Sequence, residues 1–191
     1  MTKIEFIIPT WKEVEQLKLM IQCLIVQSNP NWIAHVIIDG LTDDYREVKD
    51  MYQNEERIRF SHVDGPNKDW GNSARNYGLD NTKEDWVVMT SSDNYYVPTF
   101  VDNFLGQAKY NKDVVYCDFI HDMKNDTYQP IPSVIQEGRI DIGNVMYRRS
   151  TIGDLRLIPE SYVADFKFVN YISKHKTKRI TKINKILYVH N

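Results

Sequence analysis

The sequence predicts an α/β protein built on a mostly parallel central sheet with helices on its faces. Two observations carry that expectation. Short apolar, β-prone runs recur at residues 3–8, 32–38, 58–63, 86–89 and 114–120, each bounded by polar or turn-forming residues. Between them lie stretches whose apolar residues return at helical spacing. A chain that alternates strand and helix in this way makes crossover connections between parallel strands.

Taken in order, Lys3-Ile4-Glu5-Phe6-Ile7-Ile8 reads as the first strand, ended by Pro9, which has no N–H for a central ladder. Thr10-Trp11-Lys12-Glu13 has the form of a capping box. Val14, Leu17, Ile21, Leu24 and Ile25 then place a helix that Asn29-Pro30-Asn31 breaks. The second strand, from Trp32 to Ile38, runs into an acid, Asp39. Val48, Met51 and Tyr52 imply a short helix, and residues 58–63 alternate as a third strand. A loop of Gly, Pro, Asn and Asp at 64–71 feeds an amide-rich helix start at Asn72-Ser73-Ala74-Arg75. Trp86 to Met89 is the central strand, leaving through Thr90-Ser91-Ser92-Asp93.

The second half reads less regularly. Pro98 opens a helix carrying Phe100, Val101, Phe104, Leu105 and Ala108, and a strand follows at 114–120. Residues 121–132 read as a polar loop, and 141–148 as a strand after a Gly-containing bend. Ser161 is placed as the cap of a helix bearing Val163, Phe166 and Val169, and two short strands are expected at 179–183 and 185–189.

At 191 residues the chain is long enough for one full domain. A net charge of -2 argues against a general nucleic-acid binder. The two cysteines, Cys23 and Cys117, sit in apolar stretches without metal-ligand spacing and read as buried thiols. With neither a secretory leader nor an apolar run near the roughly 20 residues of a membrane span, the expected setting is soluble and cytoplasmic. Residues 174–185 carry Lys174, Lys176, Lys178, Arg179, Lys182 and Lys185 with no acid. That is either a solvated segment or a weak contact for an anionic membrane surface or a phosphate-bearing acceptor.

The polar strand ends carry the chemistry. Ligands of open α/β sheets sit beyond the carboxyl ends of the strands. Asp39 and Asp93 both lie there, although either could simply form an Asx turn. In order, the chain presents Pro9-Thr10-Trp11, then Asp39-Gly40-Leu41-Thr42-Asp43, then Gly71-Asn72-Ser73-Ala74-Arg75-Asn76, then Ser91-Ser92-Asp93-Asn94. That ordered set resembles the family-2 glycosyltransferases of the GT-A fold from Lys3 to about Phe100, with weaker echoes to the end.

The resemblance implies one GT-A domain over 1–191, standing alone or as the excised N-terminal domain of a longer chain, with a nucleotide-sugar half at 1–100 and an irregular acceptor-side half at 101–191. It implies a hexosyl- or deoxyhexosyltransferase that moves sugar from a nucleoside-diphosphate sugar, UDP-sugar favoured, to a glycan or other hydroxyl acceptor with inversion. Pro9, Thr10, Ser91 and Ser92 then border the donor, Asp39 accepts from the base, and Arg75 serves the diphosphate. Asp93 matches the last acid of the Asp-x-Asp motif and would hold Mn2+ or Mg2+, with His190 as a further ligand. The first acid of that motif is replaced by Ser91, a poor ligand, and this keeps open a non-catalytic module that only binds nucleotide-sugar or glycan. Asp165, with Glu160 behind it, matches the base of inverting members. Two other folds drop out, because the turn after the first strand has neither a dinucleotide-binding glycine pattern nor the glycine-rich basic loop of a nucleotidyltransferase.

Overall fold

The computed structural model describes residues 1–40, 43–123 and 127–191. Its first half runs β1 (Ile4–Thr10), α1 (Val14–Ile25), β2 (Trp32–Asp39), α2 (Arg46–Met51), β3 (Ile58–Val63), α3 (Asn72–Asn81) and β4 (Trp86–Met89). The second half runs β5 (Tyr95–Tyr96), α4 (Phe100–Ala108), β6 (Val114–Asp122), β7 (Tyr128–Ile131), β8 (Val145–Arg148), α5 (Arg149–Ile152), α6 (Ala164–Tyr171) and β9 (Ile180–His190). The sheet order is β3-β2-β1-β4-β8-β6-β9-β5, with β7 on β6. Strands β1 to β4 are mutually parallel, β8 runs against both β4 and β6, and β9 is parallel to β6.

Side-chain alternation along β1 divides the core into two layers. Ile4, Phe6 and Ile8 join Leu17, Met20, Ile21 and Leu24 of α1 on one face. Ile7 joins Ala74 and Leu79 of α3, Val87 and Met89 of β4 and Phe168 of α6 on the other. Helix α3 lies very close to the sheet. A Cβ at Gly78 would fall 2.3 Å from Ile7 Cγ2 and 2.8 Å from Ile37 Cδ1, so only glycine fits there. This closeness brings the start of α3 to the strand ends.

Several local expectations are corrected. Strand β1 continues through Pro9 to Thr10. The capping box does not form, because Lys12 takes a left-handed φ of 58°. That turn sends the Thr10 hydroxyl to Tyr45 Oη at 2.8 Å, and leaves the Glu13 carboxylate to accept from the Ser92 hydroxyl. Ser161 gives α6 no side-chain cap; its hydroxyl accepts from Lys167 Nζ instead. The stretch 121–132 is mostly a hairpin of β6 and β7, with 124–126 outside the described residues. The final two strands are one, β9, kept continuous by bulges against β6 at Cys117–Asp118 and Asp118–Phe119.

Candidate active site

The carboxyl ends of β1, β2 and β4 open into a cleft of about 510 Å³, bordered by Pro9, Thr10, Glu13, Asp39, Ser91 and Asp93. A small-molecule site is typically roughly 300–1,000 Å³. Asp39 ends β2, buried, and its carboxylate folds a distant loop over the strand end. It accepts from the Asn67 backbone N–H at 3.2 Å and from Asn67 Nδ2 at 2.8 Å. Gly65 makes this approach possible, since a Cβ there would lie 2.1 Å from Asp39 Oδ1. Leu41 and Thr42 of the second motif lie outside the described residues.

Sequence reasoning passed over Asp69. Its carboxylate accepts from the backbone N–H of Gly71 at 3.1 Å and of Ser73 at 2.7 Å, capping α3 from outside the helix. The signal was an acid just ahead of the helix start, inside what reads as a loop.

Arg75 lies one turn into α3 and is buried, not paired on the helix surface. Nε donates to Thr90 O at 3.0 Å, Nη1 to Trp70 O at 2.6 Å and Nη2 to Ser91 Oγ at 2.8 Å. It therefore bolts α3 to the end of β4. Burial lowers its pKa, while the charges of Asp141, Asp165 and Asp93 support the cation. A guanidinium remains charged at any physiological pH. Beyond Ser91, burial raises the Asp93 carboxyl above the ordinary range, against the pull of its own backbone N–H, His190 and Arg75. Glu13 is raised as well, by burial first; the Ser92 hydrogen bond opposes this and Asp93 adds to it.

A second cleft of about 390 Å³ lies on the other side of Ser91, bordered by Arg75, His121, Asp141, Tyr162, Asp165 and His190. Asp165 sits in the first turn of α6. Burial, and then the neighbouring Asp141, push its carboxyl up to about 6. Asp141 is fixed by Gly143 N and Tyr188 Oη, both donating at 2.7 Å, and its other oxygen lies 3.4 Å from His190 Nδ1. Gly143 is required here too, because a Cβ would meet Tyr188 Oη at 2.4 Å. Glu160 is not brought to this site. It is exposed, on a separate depression shared with Lys68 and Pro159.

Among the described residues no three His, Cys, Asp or Glu side chains stand close enough to form a metal site by themselves. The available donors include the Asp93 carboxylate and the imidazole of His190, whose Nδ1 makes no hydrogen bond and faces Asp141 across 3.4 Å. The carboxylate suits Mn2+ or Mg2+ when phosphate oxygens complete the shell, and the imidazole suits a transition metal such as Mn2+ rather than Mg2+. The residues present fit an ion that arrives with a diphosphate.

A protein-family model described as glycosyl transferase family 2 matches residues 5–172. The chain belongs to glycosyl transferase family 2. Its fold is that of the GT-A enzymes: the structure of residues 1–349 of TarS from S. aureus superposes with a TM-score of 0.83 at 17% identity, over 100% of this chain and 60% of that one. The same TarS fragment is also known in complex with UDP-GlcNAc. A mannosyltransferase from Pyrobaculum calidifontis, solved with GDP-Man and Mn2+, superposes with a TM-score of 0.71 at 14% identity, over 98% of this chain and 56% of that one. An uncharacterized glycosyltransferase of Rickettsia felis is 29% identical over 97 residues, 50% of this chain. This family-2 chain spans only 15% of the length of the curated relatives it matches.

Within this family-2 chain the two clefts meet at Ser91 and Trp70, which border both. The structure thus draws Pro9, Thr10, Asp39, Ser91 and Asp93 to one side of the junction and Asp165 and His190 to the other, with Arg75 buried between. Ser92 is buried behind the first cleft and hydrogen-bonded to Glu13.

The basic segment lies outside both clefts. Arg179 pairs with Asp113 at 2.7 Å, Lys182 with Asp118 at 2.7 Å, and Lys185 donates to Asn103. Two of its six cations, Arg179 and Lys182, are thus paired with acids. Among the described residues no helix is long and apolar enough to cross a membrane.

Proposed function

We propose that this chain is the donor-binding and catalytic domain of a glycosyltransferase. It moves a sugar from a nucleoside-diphosphate sugar, UDP-sugar favoured, to a hydroxyl of a glycan acceptor with inversion, aided by Mn2+ or Mg2+. The observation that carries this reading is the placement of Asp93 and Asp165 on two clefts that join at Ser91, across a buried Arg75. Residues 1–100 form the donor half and 101–191 the acceptor half. The neighbours solved with UDP-GlcNAc and with GDP-Man and Mn2+ support a nucleotide-sugar donor. The free thiols Cys23 and Cys117 fit a reducing, cytoplasmic compartment.

Charge balance supports the metal. Glu13, Asp39, Asp69 and Asp93 border the first cleft against one cation, Lys68. A diphosphate entering there needs a positive partner. Asp93 and His190 would hold the ion, which when bound neutralises charge on the departing diphosphate. Asp39 accepts from the base and, through Asn67, holds the loop beside it. Arg75 keeps Ser91 and the strand end in place and supplies positive potential through the junction. Asp165, its proton affinity raised toward neutrality, takes the proton of the acceptor hydroxyl.

The second reading is a module that binds nucleotide-sugar without turnover, favoured by Ser91 in place of the first motif acid. The geometry gives Ser91 another task, since its hydroxyl accepts from Arg75. Incubation with UDP-, GDP- and dTDP-sugars and manganese separates the two. Release of sugar to water or acceptor is expected with one of them; binding without release of any would establish the module. In melting experiments UDP with manganese should raise the transition temperature by mass action. Asp93→Ala should lose the manganese-dependent part while remaining folded. An unchanged manganese increment would refute the Asp93 assignment.

A further inference from the structure

The donor reading leaves the aromatic rim of the second cleft without a task. Trp70 and Tyr162 are 56% and 77% exposed, yet both border that cleft. Their rings meet edge-on at 5.6 Å across its mouth. Single exposed aromatics are ordinary, but a pair rimming a cavity marks a binding surface. The backbone that presents Trp70 is also specified. Lys68, Trp70 and Gly71 take left-handed φ values of 52°, 57° and 78°, a conformation unfavourable for a bulky residue unless its surroundings impose it. Arg75 imposes it by donating to Trp70 O, and Asp69 by accepting from Gly71 N.

The charges facing the cleft narrow the ligand. Glu137, Asp141 and Asp165 are acids on its wall. Against them stand His121, His190 and Arg75, and the guanidinium is already committed to Thr90, Trp70 and Ser91. Carboxylates accept and cannot donate, so they suit hydroxyl groups and repel phosphate. Phe119 and Phe166 add apolar surface on the same cleft.

We propose that this cleft is an acceptor subsite for a neutral pyranose, whose C–H face packs on the Trp70–Tyr162 rim while its hydroxyls turn to Asp141 and Asp165. This inference rests on the donor-and-base reading above and narrows its glycan acceptor to an uncharged sugar ring held on the Trp70–Tyr162 rim. An apolar sugar face meets the aromatic rings and a polar edge meets the acids, a match that a phosphorylated polyol does not make.

Saturation-transfer NMR tests it on the whole chain with UDP and magnesium, which avoids paramagnetic broadening. The probes are the methyl β-pyranosides of glucose and N-acetylglucosamine, with glycerol 3-phosphate as the anionic counterpart. Saturation is expected on the ring C–H protons of at least one glycoside and not on glycerol phosphate. It should fall several-fold in Tyr162→Ala and in Trp70→Ala, and survive in Trp70→Phe, which keeps a ring. Glycoside transfer undiminished in Tyr162→Ala, preference for glycerol phosphate, or silence from both glycosides would each overturn the inference. Melting of the variants confirms that they fold, Tyr162 being a surface residue. The melting shift given by UDP reads the donor site separately. Its absence in the parent chain would defeat the donor reading even where a Tyr162-dependent glycoside signal persists.

Discussion

Asp165 makes the base assignment measurable without knowing the acceptor. Its carboxyl is raised from an ordinary 3.8 to about 6 by burial and by Asp141. At full weight such a rise corresponds to about 3 kcal/mol of differential stability. Water at the cleft mouth screens part of it, leaving about 1–2 kcal/mol. The sign follows from proton linkage. Between about 4 and 6 the native chain binds the Asp165 proton more tightly than the unfolded chain. The penalty for ionised Asp165 is therefore absent at low pH, grows through that window and is complete above about 6. Asp165→Asn carries no such penalty. It should melt above the parent at pH 8 by roughly 2–8 °C for a domain of this size, with the gap closing as pH falls toward 4.5. Sugar transfer should drop by about 10²–10⁴ while UDP binding with manganese persists. A melting gap that is the same at pH 8 and pH 4.5, or a variant less stable at pH 8, would refute the reasoning.

Two further outcomes test the scaffold. Asp39→Ala should weaken uridine binding without metal by about 1.5–3 kcal/mol in titration calorimetry, and Asn67→Ala should weaken it less, because the carboxylate stays; equal losses would mean that Asp39 acts only by anchoring the loop. Gly78→Ala pushes a Cβ against Ile7 and Ile37, and a lowered urea midpoint worth about 1–3 kcal/mol is expected, whereas an unchanged midpoint would contradict the close packing of α3.

The first four strands were legible because each is a short apolar run with turn chemistry at its ends, and their parallel order followed from the helices between them. Strand β5 was not, because Tyr95–Tyr96 is too short to show a period and earns its place only by pairing with β9, at Tyr188 and Val189. The cap predicted at Thr10 failed because one residue, Lys12, turned left-handed and redirected both partners. Asp39, Arg75 and Asp93 stood out through their positions after strands or in an ordered motif. Asp141, in a segment that resembles the floor of the acceptor side, stood out less, since what fixes it is Tyr188, 47 residues away. Glu160 shows the converse: next to the right helix in sequence, it faces another surface.

Strand β9 has a consequence for the order in which the protein becomes competent. Chains emerge from the ribosome N-terminus first, and β1 to β4 can close their parallel ladder as soon as Met89 has emerged. Among the described residues β5 pairs with β9 alone, and Asn94 accepts from the backbone of Asn191. Tyr95 and Tyr96, just beyond Asp93, therefore wait for almost a hundred more residues to be made before their strand is paired. His190 arrives in that same last strand. A nascent chain carries the frame of the first cleft well before it can complete the junction between the clefts, so the activity proposed above would wait until synthesis has passed the strand that closes it.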